Sequence, residues 1–149
     1  MKVYLASPFF NETEINVYEK VIALLREEKD IDLFVPREHT IPNGWEMPNH
    51  QWAENVFAVD LLALQKADVV VVLNHGLYSD SGTAWECGYA YALNKKIVNI
   101  IVGKWEEEYS LMMLNGSTIT VPLDTLALWE LKDILKSEKE NCAKDFLQK

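Results

Sequence analysis

The chain alternates between two hydrophobic rhythms. Residues 3–6, Val-Tyr-Leu-Ala, form a short continuous apolar run closed by Ser7-Pro8, which predicts a buried strand. From Glu12 the spacing turns helical, and Ile15, Tyr18, Val21, Ile22 and Leu25 share one face before the charge run Glu27-Glu28-Lys29-Asp30, read as a solvated end. Residues 31–36 give a second strand, stopped by Pro36. Residues 37–49, with Pro42, Pro48 and Gly44, form a long loop, and long loops in compact domains are often functional. Residues 51–66 are helical again, with Val56, Val59, Leu62 and Ala63 as the expected core contacts.

Ala67-Asp68-Val69-Val70-Val71-Val72-Leu73 is the strongest strand signal. An unbroken β-branched run without alternation is buried on both faces, as in a parallel sheet. Residues 74–81 are polar and turn-rich, and residues 83–94 read as a helix with Lys95 and Lys96 at its carboxyl end, where cations suit the dipole. Residues 97–102 form a fourth strand, followed by a loop with Glu106, Glu107 and Glu108. Residues 118–121 give a weak fifth strand, and residues 124–136 a last helix with a solvated tail. Strands alternating with helices place a parallel sheet between two helical layers. The expectation is a single α/β domain over residues 1–149: a flavodoxin-like three-layer sandwich with a five-stranded parallel sheet of order 2-1-3-4-5. The chain shows no internal repeat and no linker.

Composition narrows the partners. Hydrophobic residues make up 49% of the 149, enough for a real core. The formal charge of −9 argues against nucleic acid and against an anionic membrane surface, both of which need clustered Lys and Arg. No apolar stretch reaches the length of a membrane span, and the N-terminus enters a strand with no signal-type segment before it, so the expected location is cytoplasmic. Cys87 and Cys142 are expected to be free thiols, neither a disulfide framework nor a metal cluster.

In a sheet of this order ligands bind beyond the carboxyl ends of the strands. That rule selects the loops at residues 7–11, 74–81 and after Val102. The first carries Phe9 and Phe10, which can wall a planar ligand or pack on the loop 37–49. The second carries Asp80 and leads into a helix bearing Glu86. A single Glu near a helix start usually reflects the dipole alone. Glu86, however, stands among Trp85, Cys87-Gly88-Tyr89 and the small residues Gly82, Ala84, Ala90 and Ala92, so it does not lie on a solvated charge face. Asp60, on the preceding helix, is unremarkable by itself. The three His are scattered; His75 lies at the carboxyl edge, but no Ser or Asp partner stands at a telling spacing, so neither a nucleophilic triad nor a metal site is expected. A phosphate-binding loop and a dinucleotide fingerprint are both missing, since Ala6-Ser7-Pro8-Phe9 stands where glycines would be needed. A receiver domain would need acidic residues where Leu5-Ala6-Ser7 and Leu73-Asn74-His75 stand.

Taken together, Tyr4-Leu5-Ala6-Ser7-Pro8-Phe9-Phe10, Trp52-Ala53 with Asp60, the strand from Ala67, and Asp80-x-Gly82-x-x-x-Glu86-x-Gly88-Tyr89-Ala90 resemble the nucleoside 2-deoxyribosyltransferases over roughly the first two-thirds of the chain. The resemblance implies exchange of one nucleobase for another on 2-deoxyribose, without a cofactor, through a covalent intermediate on Glu86. It implies that Tyr4 orients Glu86, that Asp60 is an acid/base at the nucleobase, and that Asp80 holds the 5′ end of the sugar. Phe9 and Phe10 match the base pocket, and Gly82 belongs to the substrate-binding segment. The expected partners are 2-deoxynucleosides and free nucleobases, in a homo-oligomer in which a neighbour's Asn, here Asn115, reaches the sugar site. The run Leu111-Met112-Met113-Leu114 is then a subunit contact or core. The chain departs from the family at its end, Asp145-Phe146-Leu147-Gln148-Lys149, where an aromatic terminus is common. Two alternatives stay open: a hydrolase of 2-deoxynucleoside 5′-monophosphates and a non-catalytic nucleoside-binding protein.

Overall fold

The computed structural model describes residues 1–78, 80–103, 108–124 and 128–137, the last segment with its side chains from residue 131 on. Glu106, Glu107, Cys142 and the terminal Asp145-Phe146-Leu147-Gln148-Lys149 lie outside them.

The strands are β1 (Lys2–Ala6), β2 (Asp32–Phe34), β3 (Val69–Asn74), β4 (Lys96–Ile101) and β5 (Ile119–Pro122). They form one parallel sheet of order β2-β1-β3-β4-β5, as the alternation of elements predicts. The helices are α1 (Glu12–Arg26), α2 (Asn49–Lys66), α3 (Ser81–Ala92), α4 (Leu111–Gly116) and α5 (Leu128–Lys136). On one face of the sheet Val3, Leu5, Val71 and Ile100 pack against Tyr18, Val21 and Leu25 of α1 and Leu131 and Leu135 of α5. On the other, Tyr4, Ala6, Val70, Val72 and Ile97 pack against Leu64 of α2, Cys87 and Ala90 of α3 and Met113 of α4. The valine run of β3 is buried along its whole length because helices cover both faces.

Several element boundaries differ from the pattern. β2 spans only Asp32–Phe34, because Pro36 opens a 3₁₀ turn, Pro36–Glu38. The loop 37–49 contains a second 3₁₀ turn, Gly44–Glu46, and is docked on α2: a Cβ on Gly44 would come within 2.9 Å of the Trp52 ring. On α2 the deeply buried residue is Leu64, whereas Leu62 is exposed and Val59 borderline exposed, so those two expected core contacts are corrected. The run from Leu111 is a short helix: Ser110 caps it, Met113 and Leu114 enter the core, and Leu111 and Met112 face outward. It is core and surface at once. Glu28, read as solvated, is instead held by Lys132 and Lys136 of α5. Lys96 caps α5 rather than α3, its ammonium donating to the carbonyls of Ile134, Leu135 and Ser137. The amino end of α3 is fixed by Asp80, whose Oδ2 accepts from the Thr83 backbone N–H at 2.7 Å and the Thr83 hydroxyl at 2.9 Å. That cap sets the start of α3 at the carboxyl end of β3.

Candidate active site

Glu86 lies one turn beyond the Asp80 cap. The residues at 84, 88 and 91 line a groove against α4, and at 100° per residue Glu86 points roughly the opposite way, back over β1. Its Oε2 is buried and has no hydrogen-bond partner among the described residues. Burial is the largest influence on this carboxyl and pushes its pKa up to about 8. The Tyr4 hydroxyl pulls it partway back, and the charges of Asp60 and Asp80 push it up further. Tyr4 is fully buried in the middle of β1. Its hydroxyl lies beside Glu86 and is coupled to it, yet the contact falls short of hydrogen-bond geometry, so both groups keep an unsatisfied oxygen. Burial, then the nearby carboxylates, raise the Tyr4 pKa and keep it a neutral donor. Unsatisfied buried polar groups are rare in native proteins and concentrate where a ligand or water completes them.

Asp60 of α2 reaches the same neighbourhood. Partial burial raises its pKa to about 6, while the charge of His39 acts in the opposite sense. Glu86, Asp60, Asp80 and Tyr4 therefore lie near enough to influence one another's charge, although they come from β1, α2 and α3. Two further orphans stand at the end of β3. Asn74 Oδ1 accepts from the Gly76 N–H at 3.1 Å, but among the described residues its Nδ2 has no partner, and neither does His75 Nε2.

The remaining expected residues are placed less uniformly. Phe9 is half-buried against Tyr18, with ring centroids 5.7 Å apart, and the Arg37 guanidinium lies 5.8 Å above it. It therefore anchors the loop 37–49, whereas Phe10, 70% exposed, is open to a ligand. Gly82 is exposed, and a Cβ there would come within 3.0 Å of Asp80 Oδ2, so its lack of a side chain leaves the capping carboxylate undisturbed. Asn115 lies across α3 from Glu86, and its amide donates to the Leu111 carbonyl of its own helix at 2.8 Å. Asn115 and Glu86 of one protomer do not meet.

One residue at this edge was not singled out by the sequence. His39, at the end of the first 3₁₀ turn, stacks on Phe34 at 4.0 Å and 12°, and Phe34 stacks on Tyr4 at 5.4 Å and 12°. The available signal was its place in a long loop following a strand at the ligand-binding edge.

Among the described residues there is no group of three or more His, Cys, Asp or Glu that could hold a metal ion, and no helix is long and apolar enough to cross a membrane.

Comparison with known proteins bears on the family and the fold. The chain is similar to the 2-deoxyribosyltransferase of Bacillus psychrosaccharolyticus, with 27% identity and a TM-score of 0.73 over 95% of this chain and 100% of that one. It shares the fold of the 2-deoxyribosyltransferase of Leishmania mexicana, at 17% identity and a TM-score of 0.63 over 92% of this chain and 98% of that one. The same fold is found in a CMP N-glycosidase of Clostridium botulinum, at 20% identity and a TM-score of 0.58 over 92% of this chain and 100% of that one. A search of curated protein sequences finds no significant match. The model of the nucleoside 2-deoxyribosyltransferase family matches residues 3–128. With the family match spanning the sheet and the carboxylates at its edge, the chain belongs to the nucleoside 2-deoxyribosyltransferase family.

Proposed function

We propose that the protein transfers 2-deoxyribose between nucleobases through a covalent intermediate on Glu86. The observation that carries this reading is the buried Glu86 carboxylate, with an unsatisfied Oε2 beside a neutral Tyr4 hydroxyl. Such a group is costly to ionise in the empty site and is stabilised by the positive charge that develops on the sugar.

A Glu86 oxygen attacks C1′ of a 2-deoxynucleoside. The C1′–N bond breaks, its electron pair leaves on the nitrogenous base, and the Asp60 carboxyl supplies a proton to that base. Tyr4 steadies the attacking carboxylate. A second base then attacks C1′ from the vacated face and returns a proton to Asp60, and the C1′–O bond to Glu86 breaks. Two inversions give net retention, as in retaining glycosidases. Phe10 flanks the base. Asp80 Oδ1, which makes no hydrogen bond among the described residues while Oδ2 caps α3, accepts from the 5′-hydroxyl.

The assay mixes deoxyinosine with free adenine. New deoxyadenosine supports transfer. Free deoxyribose points to the hydrolase alternative, and no reaction to a nucleoside-binding protein. The substrates proposed are 2-deoxynucleosides and free nucleobases, without a cofactor, in a cytoplasmic homo-oligomer.

A further inference from the structure

The face of the sheet that α2, α3 and α4 cover carries two asparagines in a mainly apolar core. Side chains alternate along a strand, so Asn74 shares this face with Val70 and Val72, and Asn99 shares it with Ile97. Asn99 is in register with Val72, and Asn74 stands two residues further along β3. Strands about 4.8 Å apart and a rise of about 3.3 Å per residue set the two asparagines diagonally, with roughly 8 Å between their Cβ atoms. The amides are then too far apart to bond each other and close enough for one small molecule to bridge them. Among the described residues neither amide atom of Asn99 has a hydrogen-bond partner, and Asn74 has one at Oδ1 but none at Nδ2.

The helix above them brings a third polar group. Thr83, Cys87 and Ala90 form the buried stripe of α3, which lies across β3 and β4. The Ala90 carbonyl accepts from the Lys95 N–H at 3.0 Å, which fixes the height of α3 against the start of β4. Thr83 lies roughly 10 Å nearer the start of the helix, about three strand residues, and so stands near the level of Asn99. Its hydroxyl donates to Asp80 Oδ2 and keeps its lone pairs free to accept. Thr83 is 1% exposed and both asparagines 0%, so the ligand these groups can share is water and not substrate.

We propose that Asn74, Asn99 and Thr83 bind an internal water beneath the first turn of α3, and that this water braces the Asp80 cap. The water accepts from Asn74 Nδ2 and donates to Asn99 Oδ1 and Thr83 Oγ1, the three bonds typical of a buried water. Thr83 Oγ1, held from below, directs its own proton to Asp80 Oδ2. Asn99 is thereby a positioning residue that acts on the sugar end through Thr83 and Asp80. That consequence rests on the reading of Asp80 as the contact of the 5′-hydroxyl; the water site itself does not. The two possibilities for Asn99 differ in sign. A bridged amide contributes to stability, so its loss destabilises the fold. An amide left without any partner is a net cost, and an apolar side chain of similar shape relieves it.

The experiment begins with the wild type, which needs no variant to fold. A high-resolution crystal structure should show one ordered water within hydrogen-bond distance of all three side chains. Oxygen-17 relaxation dispersion should count one long-lived water fewer in Asn99→Leu and in Thr83→Val, which keeps the shape of the side chain and drops the hydroxyl. Asn99→Leu should melt roughly 3–8 °C below the wild type. Its kcat/KM for deoxyadenosine should fall about three- to tenfold, while that for 2′,5′-dideoxyadenosine, which has no 5′-hydroxyl, should hold. No water in the wild-type density, or an Asn99→Leu that melts at or above the wild type, would overturn the proposal. A water that is present and lost in both variants, with equal effects on the two substrates, would overturn the brace to the sugar end. If the wild type itself does not distinguish the two substrates, the reading of Asp80 has failed, and the water site stands or falls on the density and the relaxation count.

Discussion

The surroundings of Glu86 penalise its ionised form. Its folded pKa, about 8, lies above its ordinary value of 4.5, so the folded chain holds the proton more tightly than the unfolded chain. The stabilising effect is full below about 4.5 and is lost as pH rises through about 8. The loss amounts to a few kcal/mol once Glu86 is fully ionised. Glu86→Gln, a neutral isostere, should therefore melt roughly 5–10 °C above wild type at alkaline pH, with the gap closing toward pH 4.5. Thermal scans across that range check it, and a constant gap would show that ionisation is not the cause. The kinetic counterpart follows from coupling. Asp60 and Glu86 titrate as a pair, near 6 and near 8, and the productive state is the minor one-proton form in which the proton sits on Asp60 and Glu86 is ionised. Activity should be bell-shaped between those limits. Asp60→Asn should lose the alkaline fall and slow natural nucleosides by about 10²–10⁴-fold. At this scale the sequence was informative about identity and blind to partnership. Glu86 was legible from its apolar company and from the spacing to Asp80. His39 was not, because its stacking on Phe34 joins residues from separate elements.

At the scale of elements, α3 is the part that organises the site. Asp80 starts α3 as its cap, and in the proposed mechanism the same side chain also meets the sugar. Asp80→Ala should cost about 1 kcal/mol through the lost cap. Asp80→Ser keeps a capping side chain and removes the charge, which separates the two roles. Like charges about 4 Å apart repel by about 4 kcal/mol at an effective dielectric near 20. Wild type should accordingly prefer deoxyadenosine to its 5′-monophosphate, and Asp80→Ser should narrow that preference by at least about tenfold. Parallel kcat/KM measurements decide it; a wild type that favours the monophosphate would favour the hydrolase alternative. The helix α4 escaped the sequence reading because six residues are too short to display a helical period, and its two buried and two exposed apolar residues look like a uniform run. The choice between Leu62 and Leu64 on α2 failed for a related reason: the sheet ends beside β2, so one flank of α2 has no layer to pack on.

For the whole molecule, strand order was legible because each strand is a compact apolar run followed by a helical pattern, and that alternation admits few topologies. Assembly was not, since a surface apolar residue and a core one look alike in sequence. The structure leaves Met112 84% exposed beside Leu111 and Tyr91 on the α3–α4 side. If that face joins two copies, Met112→Glu should reduce the mass measured by light scattering to that of one chain. An unchanged mass would move the contact elsewhere. The central claim, a covalent deoxyribosyl group on Glu86, has a more direct test. The protein is mixed briefly with deoxyinosine and no acceptor base, quenched in acid, digested and mapped by mass spectrometry. The account predicts one deoxyribosyl unit on the peptide containing Glu86, discharged by adding adenine and absent from Glu86→Gln. An adduct on another peptide, or base exchange that persists in Glu86→Gln, would contradict it.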